Sequence, residues 1–179
     1  GLSATMTRKD GLTKIFQLFL GDIEYKATRE KMDVRVNVIH YRVFDEEFNE
    51  TVYNARGEAQ YAVMIKKLCE FNPRRDFIIQ VLKDLLTDPL NQQIMLLCHN
   101  KSLLTYMYEA IEYQQLATVG YYVGGMKSTE LKETETCKVI LATYAMAEEA
   151  LDIKTLTTLV MCTPKTNVTQ AVGRILRVK

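Results

Sequence analysis

Glycine and proline are scarce in this chain, with 8 and 3 copies among 179 residues, and that scarcity excludes collagen-like and low-complexity polypeptides. Histidine is rarer still. His40 and His99 stand far from each other and from any pair of cysteines, so no metal-ligand spacing arises and no metal site is expected. The four cysteines, Cys69, Cys98, Cys137 and Cys162, are scattered. Cys98 and Cys162 lie inside apolar runs, where a thiol behaves as a small buried hydrophobe; reduced thiols and an intracellular setting are expected rather than a disulfide framework. An excess of either charge is also missing: 23 Lys and Arg against 22 Asp and Glu leave a net charge of +1. Nothing in bulk attracts the chain to nucleic acid or to an anionic membrane, so any polyanion must be met by local groups. The longest apolar runs, such as Ile94 to Cys98, are a handful of residues, where a membrane span needs about 20. No membrane partner is expected. No basic, apolar, small-residue succession follows Gly1, so no signal peptide is expected and the chain reads as a piece of a longer polypeptide.

What remains is an ordinary folded composition, 47% hydrophobic and 25% charged. A length of 179 residues allows one domain and little more; at that size about 70% of the unfolded chain's surface becomes buried, and a core can stand without staples. After about residue 33, β-branched runs alternate with helical patterns, the order of repeated βα units around a parallel sheet. Val34, Val36 and Val38 alternate with polar residues and predict a strand running towards Val43. Tyr61, Met64, Ile65 and Leu68 fall at helical spacing within Glu58 to Glu70, and a further helix begins at Asn72-Pro73 and carries Phe77, Ile78, Val81, Leu82 and Leu85. Four short runs, QIMLLC, LATVGYYV, KVILAT and TTLVMCT, have the length and apolarity of strands buried on both faces. Helices are predicted between them at Lys101 to Tyr113 and Ser128 to Glu133, and after them at Val168 to Arg177. Residues 1 to about 30 do not share this alternation; LTKIFQLFLG reads as a helix ending at Gly21. No internal repeat and no linker rich in Gly, Pro or Ser is present.

The segment KTNVTQAVGRILRVK is the most informative. As a helix capped by Thr166 or Asn167, it places Val168, Ala171, Val172, Ile175 and Leu176 on one face and Gln170, Arg174 and Arg177 on another. Two arginines three apart are commonly no more than a solvated face. Their chemistry allows more, because a guanidinium is always charged and forks onto phosphate oxygens. Gly173 directly precedes Arg174 although glycine costs about 1 kcal/mol inside a helix, which implies close packing of a ligand or a second domain.

This pattern resembles the sixth motif of the superfamily 2 helicases and translocases, QxxGRxxR, met here by Gln170, Gly173, Arg174 and Arg177. Four fixed letters match a random chain of this length only about once in a thousand. The resemblance continues in the family's order. Ser3, Ala4 and Thr5 look like the third motif, which couples nucleotide state to nucleic-acid binding, and IMLLCHNKSLL, with His99 and Asn100, looks like the fourth. VILATYAMAEEALDI is similar to the fifth, in which Thr143 would touch a nucleic-acid phosphate and Asp152 the ribose region of the nucleotide; the chain has Ala150 where the family commonly has Gly. In YYVGGMK, Gly124 and Gly125 could let backbone amides approach a phosphate while Lys127 supplies charge. CTPKTN resembles the stretch leading into the sixth motif, and its Lys165 suits a surface lysine as well as a phosphate contact.

The resemblance implies an α/β fold, a RecA-like parallel sheet with helices on both faces, and the second motor domain of an ATP-dependent helicase or translocase. Residues 1–22 would be the tail of the first motor domain and residues 23–179 the second. Arg174, Arg177 and Gln170 would act in catalysis, Asp152 and Gly173 would face the nucleotide, and Thr143, Gly125, Lys127, His99 and Asn100 would hold nucleic acid. No phosphate loop of the form GxxxxGK followed by Ser or Thr occurs, so ATP and Mg²⁺ would be held mainly by the first RecA-like domain. Asp45, Glu46 and Glu47 follow the Ser-Ala-Thr triplet, whereas the acidic second motif precedes it in the family, and they read as an acidic surface patch. Gln170, where RNA-specific DEAD-box proteins carry His, resembles the repair, phage and large-DNA-virus type and makes DNA the expected polymer. Two other classes fit the same residues: a nucleic-acid-binding module without the ATP-binding half, and an unrelated phospho-ligand domain, which would enclose a small-molecule pocket.

Overall fold

The computed structural model describes residues 11, 13–21, 24–25, 35–88, 90, 92–149, 153–166, 168 and 172. The chain divides into two compact units, residues 1–37 and 38–179. In the first, α1 spans Thr13–Leu20. It ends where expected, because Gly21 takes the left-handed conformation (φ 82°) and its N–H closes onto the Gln17 carbonyl at 2.9 Å.

The second unit carries α2 (Glu46–Asn49), α3 (Tyr61–Glu70), α4 (Asn72–Leu86), β1 (Gln93–Cys98), α5 (Lys101–Tyr113), β2 (Val119–Tyr122), α6 (Ser128–Thr134), β3 (Val139–Thr143), α7 (Tyr144–Glu149) and β4 (Leu156–Met161). The strands form one sheet in the order β2-β3-β1-β4, and each paired neighbour runs parallel. Every residue of β1 is buried, as a strand covered on both faces requires. Alternation divides the strands between two cores. Ile94, Leu96, Cys98, Val139 and Leu141 face α3, α4 and α5 through Ile65, Ile78, Leu82, Leu104 and Met107. Met95, Leu97, Ile140 and Ala142 face the opposite side, where Tyr144, Ala147 and, from α6, Leu131 cover them. Helices therefore lie on both faces of a parallel sheet, the RecA-like α/β architecture.

Local chemistry sets the element ends. Asn100 caps α5, its side-chain oxygen accepting the Ser102 N–H at 2.9 Å, and Leu103, Leu104, Met107 and Ile111 then recur at core spacing. Pro73 sits in the first turn of α4, where its missing N–H has no helical partner to lose. The expected helix from Glu58 begins only at Tyr61, because Ala59 is bridged to Tyr53 across a tight turn. The strand expected from Val34 to Val43 is not formed at residues 35–43. Val36 and Val38 are instead 76% and 73% exposed, since an alternating run without a partner ladder has nothing to bury its apolar side against. Asp45 caps α2 by accepting the Phe48 N–H at 2.7 Å, and Glu46 and Glu47 are exposed. No helix among the described residues is long and apolar enough to cross a membrane, and among those residues no three His, Cys, Asp or Glu converge as metal ligands do.

Candidate nucleic-acid interface at the strand ends

Because all the strands run in one direction, their carboxyl ends share one edge of the sheet. β1 and β3 are neighbours there, with Cys98 paired to Thr143. Their continuations part: α5 returns over one face and α7 over the other. Adjacent parallel strands whose connections leave to opposite faces open a crevice at their carboxyl ends, the general ligand position of open α/β sheets. His99 and Asn100 flank that crevice from β1 and Thr143 from β3.

The two sides touch. The His99 ring lies 4.8 Å from the buried ring of Tyr144, the residue after Thr143, and 6.3 Å from the ring of Tyr61 on α3. His99 is exposed and Thr143 half-buried, so both can meet a solvent-borne ligand. Asn100 has a second occupation, since its side-chain oxygen holds the α5 cap. Beyond β3 in the sheet, β2 ends in the loop of Gly124, Gly125 and Lys127, all exposed. Gly125 has φ 91°, a conformation that disfavours any side chain. The Lys127 N–H donates to the Glu130 carboxylate at 2.9 Å, which starts α6 while the lysine side chain stays exposed. Gly125, Lys127, Thr143, His99 and Asn100 are thus arrayed along one edge, in the sheet order β2-β3-β1.

On the far side of β1, the chain leaves β4 through Cys162, Thr163, Pro164 and Lys165. Thr163 Oγ1 lies 2.8 Å from His99 Nδ1 and accepts the His99 backbone N–H at 3.2 Å. The Tyr144 hydroxyl donates to the Thr163 carbonyl at 2.6 Å, and the Lys165 ammonium sits 5.3 Å from the centre of the Tyr144 ring. Burial pushes the Tyr144 phenol up to about 12, so it stays a neutral donor at physiological pH. Tyr144, Thr163 and Arg74, which donates to the Cys162 carbonyl, were not singled out by the sequence, and Tyr61 only as a helix-face residue: their partners lie far along the chain, and only the position of Tyr144 directly after Thr143 was a signal.

Of the residues singled out by resemblance, Ser3, Ala4, Thr5, Asp152, Gln170, Gly173, Arg174 and Arg177 lie outside the described residues. Of the helix expected from Val168, the described part is a bond from the Val172 N–H to the Val168 carbonyl at 2.9 Å, of the helical i to i−4 type. One hollow, of about 240 Å³, is bounded by Asp45, Glu47, Phe48, Lys67, Glu70 and Phe71, none of them a strand-end residue.

Fold and edge together define an α/β domain of the kind that binds ligands at the carboxyl ends of a parallel sheet. The family is given by comparison: residues 78–179, more than half of the chain, match the helicase conserved C-terminal domain, and the chain belongs to that family. A provisionally named ATP-dependent RNA helicase of Acanthamoeba polyphaga mimivirus is 31% identical over 182 residues, covering 99% of this chain and 35% of that protein. Another, from African swine fever virus, is 26% identical over 198 residues, covering 99% of this chain and 38% of that protein. The chain therefore spans little more than a third of the length of these relatives. Among solved structures, the Hef helicase domain of Pyrococcus furiosus superposes with a TM-score of 0.47 at 20% identity, over 57% of this chain and 23% of that one.

Proposed function

We propose that this chain is the second motor domain of an ATP-dependent helicase or translocase, working with a first RecA-like domain in the same polypeptide. Residues 1–22, with Ser3, Ala4 and Thr5, would belong to the tail of that first domain and couple nucleotide state to strand binding, and residues 23–179 would form the second. The observation that carries this reading is the switch-point crevice, which sets His99 and Asn100 beside Thr143 on the edge that also presents Gly125 and Lys127. Groups so arranged meet successive backbone phosphates, which carry no sequence information and so suit a motor that travels over any sequence.

ATP and Mg²⁺ would be held mainly by the first domain. The donor set here fits a phosphate: Arg174 and Arg177, with Gln170, would reach the γ-phosphate on closure, and Gly173 and Asp152 would lie against the nucleotide. Closure then gains energy only when ATP is present, and repeated closure moves the strand.

For the polymer, Gln170 at the head of the sixth motif supports DNA by resemblance, whereas both viral relatives carry names that specify RNA. We take DNA as the substrate, and the same experiment decides. ATP turnover is measured for this chain and for the full-length polypeptide, each with single-stranded and duplex DNA and RNA. Turnover by the full-length protein alone, stimulated most by DNA, is the expected result. Turnover by the isolated chain overturns the two-domain reading; no turnover stimulated by either polymer overturns the motor reading in favour of a plain binding module; stimulation by RNA only overturns the choice of DNA.

A further inference from the structure

The β4 ladder to β1 closes with a bond from the Cys162 N–H to the Leu97 carbonyl at 2.8 Å. Past that point a chain leaving a sheet commonly gives its carbonyls to water. Here three successive carbonyls are each taken by a side chain from a different element. Arg74 of α4 donates to Cys162, Tyr144 of α7 to Thr163 at 2.6 Å, and Tyr61 of α3 to Pro164 at 3.0 Å. A fourth tie comes from β1, where His99 meets Thr163 Oγ1 through its ring nitrogen at 2.8 Å and its backbone N–H at 3.2 Å. Thr163 is 3% exposed and Tyr144 2%. Buried polar groups tied this way restrict a segment to one arrangement, because any shift strands several of them at once.

The tied segment has two neighbours. On one side is the crevice, since Tyr144 follows Thr143 and His99 is itself an edge residue. On the other is the run to Gln170, Arg174 and Arg177, which follows Thr163 directly in the chain. We propose that Thr163 and Tyr144 are positioning residues: by fixing the exit of β4 against the crevice, they set the starting point of the arginine segment relative to the strand-holding edge. This rests on the motor reading above. Thr163 contributes a hydroxyl that joins β4 to β1, and Tyr144 a phenol that joins β4 to β3. Neither needs to touch ATP or nucleic acid to act.

The test uses the full-length polypeptide with Thr163→Val, which keeps the shape and removes the hydroxyl, and Tyr144→Phe, each alone and combined with Arg177→Lys. Strand-stimulated turnover, nucleotide-free strand affinity and melting temperature are measured together. Positioning predicts that each single variant lowers kcat by tenfold or more, within the roughly 10²-fold cost of a small misplacement, with strand affinity unchanged. Once Arg177 is already Lys, the same substitutions add no further loss, because they act through that stripe. If burial makes either variant fail to fold, Tyr61→Phe serves, since Tyr61 is 55% exposed and loses only its bond to Pro164. An unchanged kcat, or an equal loss in both arginine backgrounds, overturns the proposal. A silent Arg177→Lys overturns the motor reading and the proposal with it, whereas an active effect of Arg177→Lys with silent Thr163 and Tyr144 variants overturns the proposal alone.

Discussion

Gly120 faces Thr134 so closely that a Cβ on the glycine would lie 2.8 Å from the threonine Oγ1 and 2.9 Å from its Cγ2. This contact packs α6 onto the edge strand β2 and so fixes the base of the Gly125 and Lys127 loop. Thr134 is buried and Cys137 Sγ would stand 3.2 Å away, which leaves no room for the side chains to yield.

Gly120→Ala is therefore expected to destabilise the domain by about 1–3 kcal/mol, the usual cost of overpacking. The urea midpoint reads it. Adding Thr134→Ala should restore most of the loss, and a Gly120→Ala protein with an unchanged midpoint would show that β2 and α6 are not held by this contact.

The thiols make a second expectation. Burial pushes Cys98 and Cys162 from the ordinary 9.0 up to about 12 and raises Cys69 and Cys137 as well, although Cys137 is only half-buried. A folded-state pKa above the unfolded value stabilises the fold below the unfolded pKa and is lost as pH rises through the folded one. Stability should accordingly fall between about pH 9 and 12. Near neutral pH, iodoacetamide should modify Cys137 first and the other three only on unfolding. Mass spectrometry on the native protein that found Cys98 or Cys162 modified as fast as Cys137 would contradict this burial.

Lys127 tests the strand-holding edge. Its backbone N–H, not its ammonium, starts α6, so Lys127→Ala should leave the melting temperature unchanged. If the ammonium meets a phosphate, affinity for a single strand should weaken and the slope of log K against log salt should fall by about 1. An unaltered slope would remove Lys127 from the interface.

The strands β1 and β3 and the helix α5 were legible in the sequence because each signal was local: unbroken apolar runs for strands buried on both faces, and a helical pattern from Lys101 to Tyr113 between two such runs. The placing of His99, Thr143, Gly125 and Lys127 at or just beyond strand ends follows from the same runs, whereas a part for them in holding nucleic acid comes from the resemblance. Val36 and Val38 misled because alternation states what a strand could bury without saying whether a partner strand exists. α7 was hidden inside a segment read for its motif. The ties on Thr163 were hidden for a different reason: Tyr61 and Pro164 are 103 residues apart, and Arg74 and Cys162 are 88 apart, so no window of sequence contains both ends.

Arg177 in the full-length polypeptide tests the proposed motor function most directly. Lys at this position keeps the charge but loses the planar fork. Strand-stimulated ATP turnover of Arg177→Lys is expected to fall by about 10³ or more, the scale of arginines that stabilise a transferring phosphoryl group. Nucleotide-free strand affinity and melting temperature should not move, because the groups proposed to hold the strand lie at the strand ends and not on this stripe. Turnover at the wild-type rate would return Arg177 to a solvated surface and contradict the motor function assigned to this domain.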